Sequence, residues 1–475
     1  MLKGRNATLF FGLLLVLILQ QFFVMAQPED IAEDSLRVTD IVLIGNKTTK
    51  DKIILRELSF KEGSLIPQQT IDAYLEKERN RVFNTELFVT VEFTPYIVDT
   101  TNVVVVIEVI ERWYLLAVPL VDFADRNFNE WWKERGADLS RLEYGIKFNH
   151  RNFRGRREFL KMNVLFGFTK TLIFEYTLPF INKKQTRGMS FSVGISQNQD
   201  VAFKSTDNKL DYASASDRIL IRRWDGGIGI SQRSHFYNSH NLSLGFKKYE
   251  IDDSVAVLNP DYFLNGDTQQ SFFELTYSFA RDLRNNSSYP LKGLYSTFEI
   301  KKKGLGIYDD LNMIILKGSF SKFIELGKKF YLASGIAGKT SYPEVQPYNQ
   351  LRGLGYNQQF VRGFDLYVIE GQHYGLVKNT FRWEMLSGKA SINKILPVKQ
   401  FSTIPYAIYL KTNLDAGYVH NSLVEIENSR LSNKPLYGGG LGVDIVSFYD
   451  SVFRIEYSIN SFGETNFFIY YSASL

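Results

Sequence analysis

The sequence has no cysteine, few histidines and little net charge. Without cysteine, its 475 residues cannot form a disulfide, a cysteine-ligated zinc site or a cysteine nucleophile. Its five histidines show no metal-ligand spacing, and we predict neither a metal site nor a cofactor. A net charge of +5 is too small to indicate nucleic-acid binding. A mean hydropathy of −0.16 excludes a bundle of membrane-spanning helices.

The first 26 residues have the pattern of a secretory signal peptide. Lys3 and Arg5 precede an apolar run over residues 8–19, and a Val24-Met25-Ala26 cleavage pattern follows. We therefore predict cleavage after Ala26, followed by a short linker over residues 27–36. An N-terminal membrane anchor remains the alternative, although the run is shorter than the roughly 20 residues of a span.

Residues 37–112 have the pattern of one small α/β module. An alternating strand ends at Gly45-Asn46, and a first helix follows over residues 48–58. A second helix is predicted from Pro67 to about residue 84, and two β-rich runs close the segment. The predicted order is β-α-α-β-β.

Residues 113–475 alternate apolar and polar side chains in run after run. In residues 189–196 the odd positions are apolar and the even positions are serine or glycine, which places the two sets on opposite faces of a sheet. We predict a transmembrane antiparallel β-barrel of sixteen strands, with the candidate strand 208–222 assigned to a loop or a neighbour. The first strand lies near 114–123 and the last near 465–474. A soluble β-sandwich shows the same alternation and is the alternative.

A long loop over residues 341–371 contains Val361, Arg362, Gly363 and Phe364. Alternation places Glu384 and Asp415 on the inward faces of the two strands that follow it. A loop folded into the barrel could bring the Arg362 guanidinium to both carboxylates. The alternative is an ordinary set of solvated charges in the lumen.

Five short motifs together resemble the BamA/TamA superfamily (the bacterial surface antigen family) of outer-membrane assembly and translocation barrels. They are VRGF at 361–364, NFRGRRE at 152–158, YPLKG at 289–293, LDAGYV at 414–419 and GGGLGVD at 438–444. Residues 37–112, with their predicted β-α-α-β-β order of elements, resemble a POTRA domain. The resemblance implies that Arg362 pairs inside the barrel with Glu384 and Asp415. Besides Gly363 of VRGF, the motif glycines that the resemblance singles out are Gly155, Gly293, Gly417, Gly440 and Gly442.

The resemblance further implies a non-enzymatic machine of the bacterial outer membrane. Its POTRA domain would lie in the periplasm and capture unfolded outer-membrane or secreted polypeptides by strand addition. Substrate strands would pair at a weak seam between the first and last barrel strands. Accessory lipoproteins are a further partner class that the sequence leaves open. BamA has five POTRA domains, TamA three and two-partner secretion transporters two, whereas this sequence shows one. The substrates of those proteins therefore cannot be assigned to this one.

Three alternatives stay open at this stage. The POTRA-like module could be a plain structural spacer. The barrel could be a passive porin, which would explain the barrel and the signal peptide but not the module or VRGF. A barrel enzyme is the third, but no Ser/His or Asp/His arrangement stands out.

Overall fold

The computed structural model describes residues 35–123, 131–133, 136–215, 217–308, 310–356, 359–391, 403–423, 429–447 and 451–472. The predicted signal peptide and most of the predicted linker lie outside these residues. In the described segments, helices are too short or too polar to cross a bilayer.

The N-terminal module is a four-stranded sheet covered by two helices. Its strand order is β2-β1-β4-β3, in which β1 and β4 are parallel and the other neighbours antiparallel. Its elements are β1 (Ser35–Ile44), α1 (Asp51–Leu55), β2 (Leu65–Pro67), α2 (Ile71–Phe83), β3 (Phe88–Ile97) and β4 (Asn102–Glu111).

The module's core follows from the alternation of β4. Val103, Val105 and Ile107 are fully buried, and they pack in one cluster with residues of both helices, among them Leu75. The predicted order of elements is present with one addition. Pro67 was predicted to open the second helix, but it ends the short strand β2, because Leu65–Pro67 forms a ladder with Ser35–Arg37.

Sixteen of the remaining described strands form one antiparallel sheet, which confirms the predicted number. Its first eight strands are β5 (Leu115–Phe123), β6 (Leu142–Phe153), β7 (Glu158–Gly167), β8 (Thr169–Leu178), β9 (Arg187–Asn198), β12 (Ile221–Ser234), β13 (Asn238–Ile251) and β14 (Gln269–Asp282). The last eight are β15 (Gly293–Lys303), β16 (Met313–Gly327), β17 (Phe330–Tyr342), β18 (His373–Ser391), β19 (Thr403–His420), β20 (Pro435–Val446), β21 (Val452–Asn460) and β22 (Thr465–Ser472).

The sheet presents apolar side chains on its outer face. On β9, Phe191, Val193 and Ile195 are each at least 39% exposed, although all three are large and apolar. Such a row of exposed apolar residues is typical of strands that face lipid. The sheet order begins at β22 and ends at β5, and within the described ranges no ladder joins these two strands.

Of the candidate strand 208–222, which is predicted to be a loop or part of a neighbour, residues 209–214 lie outside the barrel sheet, whereas residues 221 and 222 begin β12. The segment 200–214 stands apart from the barrel sheet. It forms a hairpin of β10 (Asp200–Thr206) and β11 (Lys209–Ser214). At its tip, the side chain of Asn208 is fully buried. Its Nδ2 donates to the carbonyl of Val368 (3.0 Å), and its Oδ1 accepts from the backbone N–H of Leu431 (2.9 Å). The hairpin therefore holds two long loops. A short helix, α3 (Asp253–Leu258), lies in the next loop at the same end.

The N-terminal module rests on the turns at the other end of the barrel, which we call the module end (residues 154–157, 179–186, 235–237 and 283–292). Asn84 at the end of α2 donates to the carbonyl of Arg284 (3.0 Å) and accepts from the N–H of Ser287 (3.2 Å). The carboxylate of Glu86 pairs with Arg151 at 3.0 Å. These contacts fix the module against the barrel at several turns.

Candidate functional site: a buried charge cluster in the barrel

The long loop between β17 and β18, residues 343–372, folds back into the barrel. Val361 and Phe364 are each 1% exposed, although they belong to a loop. They share an apolar cluster with Leu376 of β18, Val419 of β19 and Leu436 of β20. Burial of these side chains holds the loop against the inner wall, since it removes apolar surface from water.

Glycines let the loop backbone lie directly on that wall. Gly363 has a φ of +87°, a region that favours glycine. A Cβ at Gly438 of β20 would lie 1.8 Å from the carbonyl oxygen of Arg362, and one at Gly417 would lie 2.5 Å from Cγ2 of Val361. Any side chain at position 438 would therefore displace the loop.

Arg362 lies at the centre of a buried set of charges. Its Nη1 is 2.7 Å from Oδ1 of Asp415, and its Nε is 3.6 Å from Oε2 of Glu456. Its backbone N–H donates to Asp415 at 3.2 Å, and Nη2 donates to Thr380 at 3.3 Å. The Arg362 side chain is 13% exposed and that of Asp415 is fully buried. Partly desolvated hydrogen-bonded ions of this kind interact strongly.

The structure brings Arg362 and Asp415 together, but it does not bring Glu384 to them. Oε1 of Glu384 accepts from Ser387 at 2.6 Å and Oε2 from Tyr331 at 3.4 Å. The prediction for Glu384 is wrong because of position along the strand. Asp415 pairs with Lys378 of β18, and Glu384 lies six residues further, which is about 20 Å along an extended chain.

The second acid of the cluster is Glu456 of β21, which the sequence analysis did not assign. Alternation does place Glu456 on the polar face of its strand. Nothing in the sequence, however, specifies that this strand lies beside the folded loop. That proximity arises from the ladders that join β19, β20 and β21.

The cluster extends toward the module end through a buried lysine. Lys411 of β19 is 3% exposed, and its Nζ lies 2.5 Å from Asp444 and 2.5 Å from Glu456. Tyr289, from the turn between β14 and β15, donates to the other oxygen of Asp444 at 2.9 Å. We call Arg362, Asp415, Glu456, Lys411 and Asp444 the lumen cluster. It links the long loop to three strands of the barrel wall, β19, β20 and β21.

The remaining motif glycines lie in turns and in β20. Gly155 is in the turn after β6, where its carbonyl accepts from the N–H of Lys50 in the module at 3.0 Å. Gly293 begins β15, and Gly440 and Gly442 lie in β20. Among the residues described, no group of three or more His, Asp or Glu side chains is placed to hold a metal ion.

Two family models match the chain. The Omp85 superfamily domain matches residues 152–373, and the POTRA model, described as a surface antigen variable number repeat, matches residues 36–112. The matched spans are similar to an Omp85 superfamily domain that follows a POTRA domain. The matched Omp85 span includes Arg362, whereas Asp415 and Glu456 lie beyond it. Members of the Omp85 β-barrel family reside in the outer membrane.

Solved Omp85 structures share this fold at low sequence identity. BamA from Haemophilus ducreyi lacking POTRA domains 1–3 is 15% identical, with a TM-score of 0.52, 92% of this chain covered and 84% of that chain. CdiB from Escherichia coli is 12% identical, with a TM-score of 0.53, 92% of this chain covered and 76% of that chain. No curated protein matches the chain. The similarity to these solved structures concerns the fold alone.

Proposed function

We propose that this Omp85 protein assembles polypeptides into the outer membrane or passes them across it, without catalysing a covalent reaction. Residues 1–26 would direct the chain out of the cytoplasm, and the POTRA domain would face the periplasm. The free energy would come from strand pairing and from burial of apolar surface in lipid.

The observation that carries the proposal is the pair of terminal strands, β5 and β22, which no described ladder joins. Unpaired strand edges offer backbone N–H and C=O groups to another chain. An incoming strand could pair there and then leave laterally into the bilayer.

The loop that carries Arg362 also contacts one of these terminal strands. Tyr470 of β22 donates a short hydrogen bond to the carboxylate of Asp365. Asn466 of the same strand donates to the carbonyl of Gly363 at 3.4 Å. The lumen cluster would therefore hold the loop, and the loop would hold β22 in position at the seam.

The POTRA domain offers a second free edge for substrate capture. β3 is an outer strand of the module sheet with ten residues, whereas the opposite outer strand, β2, has three. Tyr96 and Ile97 near the end of β3 are 57% and 59% exposed. An extended polypeptide could add to this edge before it reaches the barrel.

Depletion of the protein, followed by proteomics of the outer membrane, tests the proposal. Loss of many barrel proteins would indicate an insertase, and loss of one client would indicate a dedicated translocation pore. An unchanged outer-membrane proteome, together with steady ion conductance of the purified protein in planar bilayers, would refute the proposal in favour of a passive porin.

A further inference from the structure

A cavity of about 810 Å³ lies between the POTRA domain and the module end of the barrel. Residues of α2, together with Arg56 and Glu57 just after α1, form one side, and the ends of β8, β12, β13, β14 and β15 form the other. Its volume is near the upper end of the roughly 300–1,000 Å³ that ligand pockets span. We call this cavity the vestibule.

The vestibule opens toward the interior of the barrel. Ser239 of β13 lines it and also lines a second cavity, together with Asn241. On the same strand Leu242 and Leu244 are 49% and 38% exposed on the outer face, so the odd-numbered residues point inward. A lipid in the bilayer would lie on the other face of this strand. A ligand in the vestibule therefore arrives from the aqueous side.

The lining of the vestibule carries an excess of positive charge. Seven Lys or Arg residues line it, against three Asp or Glu residues. Three of the arginines share the single carboxylate of Glu57. Arg233 pairs with both of its oxygens (2.8 and 2.7 Å), Arg56 lies at 2.9 Å, and Arg157 lies at 4.0 Å.

The arginines of the vestibule are short of acceptors. Nε of Arg56 and Nε of Arg81 are buried, with no hydrogen-bond partner among the residues described. Burial, together with Arg233 and Arg157, outweighs Glu57 and lowers the pKa of Arg56 to about 10. Arg157 is 31% exposed, and its guanidinium has only the 4.0 Å contact with Glu57 in the described part of the chain. An anion in the vestibule would supply a close partner for the partly exposed guanidinium of Arg157.

Aromatic rings beside these arginines make the vestibule suitable for a peptide rather than for a bare ion. The guanidinium carbon of Arg81 lies 4.3 Å from the ring centre of Phe236, and that of Arg56 lies 3.7 Å from the ring centre of Phe180. Such surfaces bind the apolar part of a chain beside its charged groups.

We propose that the vestibule binds an extended polypeptide segment with Asp or Glu side chains as it passes from the POTRA domain toward the barrel, and that Arg157 contacts its carboxylates. This inference rests on the proposed function and specifies the class of substrate that the protein accepts.

Fluorescence anisotropy of the full chain in nanodiscs tests the inference, with a labelled peptide of alternating glutamate and serine. A matched peptide has glutamine in place of glutamate. We expect the glutamate peptide to bind at least tenfold more tightly and its binding to weaken as salt rises, because hydrogen bonds between ions are stronger than those between neutral groups and are screened by salt. Equal affinity for the two peptides would overturn the inference.

Two variants locate the binding. Arg157→Gln should weaken the glutamate peptide about tenfold, and Lys292→Gln, at an exposed part of the lining, about threefold. Lys328→Gln removes an exposed charge that does not line the vestibule, and it should leave the affinity unchanged. Heat-modifiability on gels checks that each barrel is folded. Equal losses in all three folded variants would refute a localised site.

Competition separates the sources of the anion. Free glutamate at the same carboxylate concentration should displace the peptide poorly, and efficient displacement would overturn a polypeptide site. Efficient displacement by phosphatidylglycerol vesicles would assign the vestibule to lipid and would overturn the inference too. If no peptide binds while depletion still removes outer-membrane proteins, this inference fails and the proposed function stands.

Discussion

Replacing Arg362 by alanine should destabilise the barrel by about 3 kcal/mol, because it removes the main partner of the buried Asp415 carboxylate and one of the two cations beside Glu456. Removal of one partner from a buried ion pair costs about 3–5 kcal/mol. The lower end of that range applies here, since each acid keeps a second cation. Lys378 stays 3.7 Å from Asp415, and Lys411 stays 2.5 Å from Glu456. The measurement is urea unfolding of the barrel refolded in lipid vesicles.

Two comparisons make this prediction specific. Arg362→Lys keeps the charge but loses the fork that reaches both acids, and we expect it to recover part of the stability. Arg222→Ala removes an exposed arginine of β12 and should change stability by no more than about 0.5 kcal/mol. A barrel with Arg362→Ala that unfolds at the same urea concentration as the Arg222→Ala barrel would refute the proposed role of the lumen cluster.

Three further predictions follow from individual contacts. Gly438→Ala should push the long loop off the wall and expose it to protease, whereas Gly226→Ala, with open space around its Cβ, should not; equal cleavage of both would argue against the packed loop. Glu456→Gln should cost more than about 1 kcal/mol in urea unfolding and Glu384→Gln less than about 0.5 kcal/mol, and the reverse order would contradict the assignment of the second acid. Burial raises the pKa of Glu57, but the arginines around it outweigh burial and hold the pKa below 4.5. The docked POTRA domain is therefore stabilised above pH 4.5 and loses this stabilisation as the pH falls further. Spin-label distances between the domain and the barrel would detect the loss. Glu57→Gln should abolish the pH dependence, and a pH dependence that persists in this variant would exclude Glu57 as its cause.

Periodicity predicted the fold because it is a local property of the sequence. The alternation over residues 189–196 corresponds to β9. Counting such runs gives sixteen or seventeen candidate strands, and the even strand number of bacterial barrels selects sixteen, which the structure confirms. The boundaries of the POTRA elements were less accurate at Pro67. Residues 65–67 form a strand there because they pair with β1, which lies about 30 residues earlier in the chain.

The lumen cluster could be predicted only in part, because it depends on register. The contact between Arg362 and Asp415 followed from a motif and an inward-facing position. Glu384 satisfied the same pattern, yet position along its strand places it far from the loop. Glu456 comes from a strand that only the ladders of the folded sheet bring close.

The docking of the POTRA domain on the barrel could not be predicted from the sequence. Glu57 lies within the predicted first helix, residues 48–58, and no motif singles it out. In the structure it is 1% exposed and binds Arg233, which is 176 residues away in the chain. No local pattern connects two such positions, because their contact exists only once both domains have folded.

The fit between Gly438 and the backbone of Arg362 has an evolutionary consequence. The carbonyl oxygen of Arg362 occupies the volume that any side chain at position 438 would need. We therefore expect natural variants to retain glycine at position 438 even where neighbouring residues of the barrel wall are substituted. Anyone who transplants this loop into another barrel must transfer the receiving glycine with it, since the two positions form one inherited unit.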